Sequence, residues 1–186
     1  MTTALVLATV VGYLVGAVSP ATLISHARGV DLRVIGSGNP GASNAGRALG
    51  RRTGVLIALL DVAKGAAPAF AFALHDHRAG LAAGLAAVIG HVTSPYLRGR
   101  GGKGVATAAG AILGSHPLWL VVVLVTWLVV LAASRWIALA SVSAAVAVLV
   151  TALADQDDIW WAAAIALIVV LRHSSNLRRK LRPQPT

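Results

Sequence analysis

Seven apolar runs confine this chain to a narrow set of folds, because segments of such length and hydropathy suit hydrocarbon rather than water. They cover Met1 to Ser25, then about Gly54 to Leu74, Ala79 to Gly90, Val105 to Gly114, Leu118 to Ala133, Trp136 to Ala154 and Ile159 to Leu171. With no water in the bilayer core, backbone N–H and C=O groups must bond within their own segment, which makes each run a helix. Composition points the same way: 57% of the residues are hydrophobic, 12% are charged and the mean hydropathy is +0.78. A soluble domain carries about twice that charge. The expected fold class is therefore all-α: a polytopic membrane protein of about seven transmembrane helices, forming one integral-membrane domain over residues 1–186.

No Lys or Arg precedes the first run, so it lacks the n-region of a cleavable signal peptide and reads as a retained span. Val105 to Gly114 is much shorter than the roughly 20 residues a perpendicular helix needs. A run this short must tilt, thin the bilayer or end in a loop buried within protein. Cysteine is absent, which excludes disulfides, thiolate metal sites and an acyl-cysteine intermediate.

The cations orient the spans. His26 to Thr53, His91 to Lys103, the Ser134-Arg135 pair and the tail from Arg172 together hold 14 of the 16 Lys and Arg residues. With seven spans these stretches fall on one side, and the other keeps Arg78 beside Asp76, Asp155, Asp157 and Asp158. The positive-inside rule then predicts an external N-terminus and a cytoplasmic C-terminus, with the motif-like sequence on the cytoplasmic face of the inner or plasma membrane. The net charge of +10 is accounted for by lipid rather than nucleic acid.

Two of those cationic stretches are rich in glycine. In Gly101-Gly-Lys-Gly104 the missing Cβ atoms would let successive N–H groups line one concavity, with Lys103, Arg100 and Arg98 adding charge. That is one way for a backbone to hold phosphate, although a lone Gly-Gly-Lys-Gly is more often a turn carrying positive-inside charge. The first loop, Gly36-Ser-Gly-Asn-Pro-Gly-Ala-Ser-Asn-Ala-Gly-Arg47, alternates glycine with Ser37, Asn39, Ser43 and Asn44. Backbone at Gly38 can approach a ligand closely, the hydroxyls and amides can bond it, and Arg47 can fork a phosphate. Alone, this loop is as readily a flexible connection capped by Ser and Asn. Two such loops on one face favour a ligand.

Other polar residues are sparse. Asp61 and Lys64 share a helical face, and an unpaired charge at the bilayer centre costs about 2.5–3.5 kcal/mol, so a structural pair is the stronger reading. Arg135-Trp136 reads as an interfacial anchor, with Ser141 about two turns further in. In the tail, His173 and Asn176 are three apart and face the same way if the segment is helical; an imidazole titrating near neutrality could take or orient a hydroxyl proton. Arg178 to Lys180 read as a basic end held to anionic headgroups.

Taken together, Gly36 to Asn44 with Arg47, Asp61-x-x-Lys64-Gly65, His91 followed by Gly101-Gly-Lys-Gly-Val-Ala-Thr107, and Arg172-His173-x-x-Asn176 resemble the bacterial acyl-phosphate:glycerol-3-phosphate acyltransferase family. The resemblance spans roughly Gly12 to Arg179. It implies a seven-helix membrane enzyme that transfers a fatty acyl group from acyl phosphate to the 1-hydroxyl of glycerol 3-phosphate, giving lysophosphatidic acid and phosphate for phospholipid synthesis. It implies catalytic roles for Ser37, Arg47, Lys103, His173 and Asn176. Substrate contacts are implied for Gly38, Asn39, Ser43, Asn44, His91, Gly101, Gly102, Gly104, Thr107 and Ser141. Ser43 stands where the family usually has Thr, Ser175 where it has Glu, Thr93-Ser94-Pro95 where it has Phe-Pro, and its closing Gly-Thr-Glu is absent from Arg182-Pro-Gln-Pro-Thr.

Such chemistry needs no protein nucleophile, since an acyl phosphate is a mixed anhydride with a good leaving group. The protein must neutralise two phosphates, position a hydroxyl and see its proton removed by His173, His91 or a substrate phosphate. No metal or cofactor is expected: Glu is absent and most Asp residues fall on the opposite side. The expected partners are acyl phosphate, glycerol 3-phosphate and membrane lipid, with no nucleic acid. The competing readings are a transporter or channel for an organic phosphate, an acyltransferase paralogue with another acceptor, and a non-catalytic scaffold.

Overall fold

The computed structural model describes residues 2–181. They form α1 (Thr2–Ala17), α2 (Pro20–His26), α3 (Ala42–Leu49), α4 (Arg51–Ala73), α5 (His77–Thr93), α6 (Val105–Ser115), α7 (Pro117–Ser134), α8 (Ile137–Asp155) and α9 (Ile159–Leu181), with a 3-10 turn at Pro95–Leu97. Six helical stretches are long and apolar enough to cross a membrane: α1 with α2, α4, α5, α7, α8 and α9. Large apolar side chains such as Leu59, Leu118, Val129 and Trp160 are exposed, as lipid-facing positions must be. The chain is thus an all-helical, multi-pass integral membrane protein.

It divides into two compact units, one ending at Ser115 and the other starting at His116. In the first, α1 and α5 run parallel and nearly in backbone contact. A Cβ on Gly12 would stand 2.2 Å from the Ala83 carbonyl oxygen, and one on Gly16 2.1 Å from that of Ala87. In lipid, where burying apolar surface gains nothing, small residues of this kind hold helices together through close packing. Gly16→Val is expected to destabilise by at least about 2 kcal/mol. The check is a thermal unfolding scan in detergent; an unchanged midpoint would contradict the close crossing.

The first span is broken where Pro20 opens α2 and Ser19 caps it, accepting from the Thr22 N–H. The break frees two carbonyls, and both find partners from other segments. Ser94 Oγ donates to Ala17 O at 2.6 Å and Lys64 Nζ to Val18 O at 2.6 Å. Broken helices survive at membrane depth only with this kind of repair.

Helix α6 resolves the question of the short run. It packs along α4 so closely that a Cβ on Gly65 would lie 2.1 Å from Thr107 O, and one on Gly110 2.0 Å from Val62 O. Its first turn therefore sits beside the middle of α4, about 20 Å along the axis from Arg51. Of the three options for a short run, the structure takes the buried loop: Gly101, Gly102, Gly104 and Thr107 are all buried.

In the second unit, left-handed residues Arg135 and Gln156 turn the chain between consecutive helices. The far end is clasped: the His116 ring stacks on Trp119 at 3.9 Å, its Nε2 lies 2.9 Å from Asp158 Oδ2, and the Trp119 indole N–H donates to Asp155.

Two features depart from the sequence reading. The stretch from His26 to Thr53 is not all loop, since it contains α3, eight residues whose Ser, Asn and Gly have poor helix propensity. The apolar run ending at Leu171 also continues as helix to Leu181, carrying the tail motif on a rigid element. Arg182 to Thr186, where the family's closing motif is missing, lie outside the described residues.

Candidate active site

The first loop is wrapped around one carboxamide. Asn44, in the first turn of α3 and 1% exposed, donates from Nδ2 to the carbonyls of Leu32 (3.0 Å) and Ile35 (2.9 Å). Its Oδ1 accepts from the Ser37 N–H (3.1 Å) and from Arg47 (3.4 Å). Gly36 is required here because its φ is +59° and a Cβ would sit 2.5 Å from Asn44 Oδ1. The sequence suggested a ligand-binding amide; the structure commits Asn44 to holding the loop. The core beneath is formed by Ala21, Leu32, Ala45 and Ile57.

This scaffold leaves Ser37 exposed on a fixed backbone, with Arg47 beside it. Arg47 donates to Ser43 Oγ at 3.2 Å, and its Nε lies 4.0 Å from where a Gly36 Cβ would be. Two neighbouring cations are otherwise engaged. Arg28 donates to Thr53 Oγ1 at 2.6 Å, while Arg33 forks Asp31, its hydrogen bonds drawing that carboxyl down to about 2. Arg47 is therefore the guanidinium this loop presents beside Ser37. Asn39 accepts the Gly41 N–H through its carbonyl, and Gly38 needs its φ of +67° to pass Arg33.

The second loop differs from the expected nest of amides. The Gly101 N–H donates to Val92 O (3.2 Å) and the Gly102 N–H to His91 O (3.1 Å), so both satisfy carbonyls left open at the end of α5. The glycines serve close approach instead. A Cβ on Gly102 would fall 2.1 Å from His91 Nε2, and one on Gly101 2.0 Å from His91 O. Gly104, with φ +83°, then opens α6, whose first-turn N–H groups lack helical partners and carry partial positive charge. Lys103 is half-buried at this helix start, and Thr107 is fully buried with an unpartnered Oγ1. The cationic element is thus a lysine on a helix N-terminus.

His91 was expected at the substrate. It is buried, its Nδ1 3.5 Å from Asp61 Oδ1, and Asp61 in turn pairs with Lys64 at 2.9 Å. The sequence paired Asp61 with Lys64 but carried no signal for their link to His91 or for the contact of Ser94 with α1.

On α9, His173 is 2% exposed and its Nδ1 lies 2.8 Å from Val169 O. A carbonyl can only accept, so Nδ1 carries the proton and Nε2 is the basic nitrogen of the neutral ring. Asn176 follows one turn later, half-buried, with Ser175 Oγ 3.5 Å from its Oδ1. Ser141 is buried; its hydroxyl donates to Ile137 O (2.8 Å) and accepts from Trp127 Nε1 (3.4 Å). With both contacts internal, Ser141→Ala is expected to keep kcat and KM within about threefold and to cost about 1 kcal/mol of stability. A large rise in KM would restore Ser141 to the substrate.

A protein-family model described as Glycerol-3-phosphate acyltransferase matches residues 6–183. The chain belongs to the glycerol-3-phosphate acyltransferase family. A glycerol-3-phosphate acyltransferase from Geotalea daltonii is 40% identical over 173 residues, covering 90% of this chain and 89% of the relative. One from Macrococcus caseolyticus is 38% identical over 175 residues, 91% of this chain and 89% of its own. The crystal structure of PlsY (YgiH), an integral membrane glycerol 3-phosphate acyltransferase, in its glycerol 3-phosphate form, matches with a TM-score of 0.89 at 33% identity, covering 95% of this family member and 92% of that chain. Its lysophosphatidic acid form matches with a TM-score of 0.86.

Proposed function

We propose that this protein transfers a fatty acyl group from acyl phosphate to the 1-hydroxyl of glycerol 3-phosphate. The observation that carries the reading is the pairing, within one family member, of an exposed Ser37 and Arg47 on a braced loop with Lys103 at a helix N-terminus. These are anion-holding groups on rigid supports, as transfer between two phosphorylated substrates requires. The acceptor oxygen attacks the acyl carbonyl carbon, the bond from that carbon to the phosphate oxygen breaks, and an ester and inorganic phosphate result. The hydroxyl proton ends on the released phosphate. Arg47 and Lys103 neutralise phosphate charge, and Ser37 orients the hydroxyl. The cation distribution supports a site on the cytoplasmic face of the inner membrane.

The donor is tested by supplying the purified protein with glycerol 3-phosphate and palmitoyl phosphate, palmitoyl-CoA or palmitoyl-ACP in turn, with EDTA present. Lysophosphatidic acid from palmitoyl phosphate alone is the expected result. Product from either thioester, strict dependence on a divalent ion, or an acyl adduct on Ser37 by intact mass would overturn the mechanism.

A further inference from the structure

The residues beneath the second loop form a continuous buried chain of charge that the reaction itself does not use. It begins at the break in the first span, where Val18 O accepts from Lys64 Nζ at 2.6 Å. Lys64 Nζ lies 2.9 Å from Asp61 Oδ1, and that oxygen lies 3.5 Å from His91 Nδ1. Asp61 is 3% exposed and Lys64 8%. Keeping two ions in so dry a place is costly, and pairing alone could be replaced by apolar packing. The geometry shows what the arrangement achieves. His91 meets the loop twice: its carbonyl accepts the Gly102 N–H, and its Nε2 abuts the Gly102 backbone so tightly that no Cβ would fit. One ring nitrogen faces Asp61 and the other packs against the Gly102 backbone.

We propose that Asp61, acting through the His91 ring, sets the shape of the Gly101–Gly104 loop and with it the position of Lys103 and the start of α6, so that both are positioning residues for the phosphate of the acceptor. Asp61 orients the imidazole through Nδ1, the imidazole supports Gly102, and the next residue is the lysine that meets the anion. Lys64 offsets the carboxylate and ties the assembly to the broken first span. This gives His91 a task other than direct substrate contact or proton removal, and it gives the intramembrane Asp-Lys pair a reason to exist on this helix face. The inference rests on the glycerol phosphate reading above.

The test compares His91→Phe, His91→Gln and Asp61→Asn with the unaltered protein in lipid nanodiscs. Binding of radiolabelled glycerol 3-phosphate is measured without any acyl donor, then kcat and both KM values with palmitoyl phosphate. His91→Phe and Asp61→Asn are expected to weaken glycerol 3-phosphate binding, and raise its KM, by about tenfold or more, with kcat and the KM for palmitoyl phosphate within about threefold. His91→Gln, which keeps a donor toward Asp61, is expected to recover most of the loss. A fall in kcat with binding intact would make His91 a catalytic residue and overturn the proposal. So would equal losses for both substrates, or failure of all three variants to fold. Because the binding arm needs no donor, it separates this inference from the acyl phosphate assignment: unaltered protein that binds glycerol 3-phosphate but makes no product fails the assignment alone.

Discussion

Replacing Arg47 by alanine is expected to lower kcat/KM for acyl transfer by about 10²–10³-fold, the scale on which a preorganised donor to developing charge contributes. Arg47 projects from α3, is aligned by Ser43 and Asn44, and stands beside the Ser37 segment. Arg28 and Arg33 cannot substitute, because each already serves another group. Arg47→Lys is expected to recover little, since a point charge lacks the planar fork that meets two phosphate oxygens together. Steady-state kinetics with both substrates varied would check this. A fully active lysine variant would show that charge alone suffices.

Asn44→Asp is the second large effect, although this residue meets no substrate in our account. The change keeps the shape but removes both Nδ2 donors, leaving the Leu32 and Ile35 carbonyls facing oxygen in a buried site. Each lost partner costs about 1–3 kcal/mol, so the loop conformation is expected to be destabilised by several kcal/mol. Activity should fall by at least about 10²-fold, while the helices, held by their own packing, remain. Circular dichroism and hydrogen exchange over 30–48 would separate the two: retained helicity with lost protection in the loop is expected, and full protection with lost activity would instead return Asn44 to the substrate.

The membrane-spanning fold was legible because apolar runs report their environment directly, and most helices begin and end close to where those runs do, α9 alone running well past its own. Helix α3 was not, because Ala42 to Leu49 is short and rich in weak helix formers; its small apolar residues Ala42, Ala45 and Ala48 recur at helical spacing, and its stability comes from their packing on Leu32 and Ile57. The candidate site was legible in its residue types but not in their division of labour. Nothing in Gly-Gly-Lys-Gly reveals that two of its amides cap the end of α5, nor that its glycines make room for an imidazole. Those facts depend on α6 starting deep beside α4, a tertiary arrangement with no local signature. Asn44 and His91 show the same limit. A polar residue in a functional motif is equally consistent with touching the ligand and with holding the residue that does, and only the partners distinguish them.

The central claim is best tested by stoichiometry. Purified protein in lipid would be given palmitoyl phosphate and glycerol 3-phosphate, with inorganic phosphate and lysophosphatidic acid followed together and Arg47→Ala and Lys103→Ala run alongside. The two products are expected in equal amounts, both lost in the variants. Phosphate released without lysophosphatidic acid, or undiminished product from the variants, would contradict it.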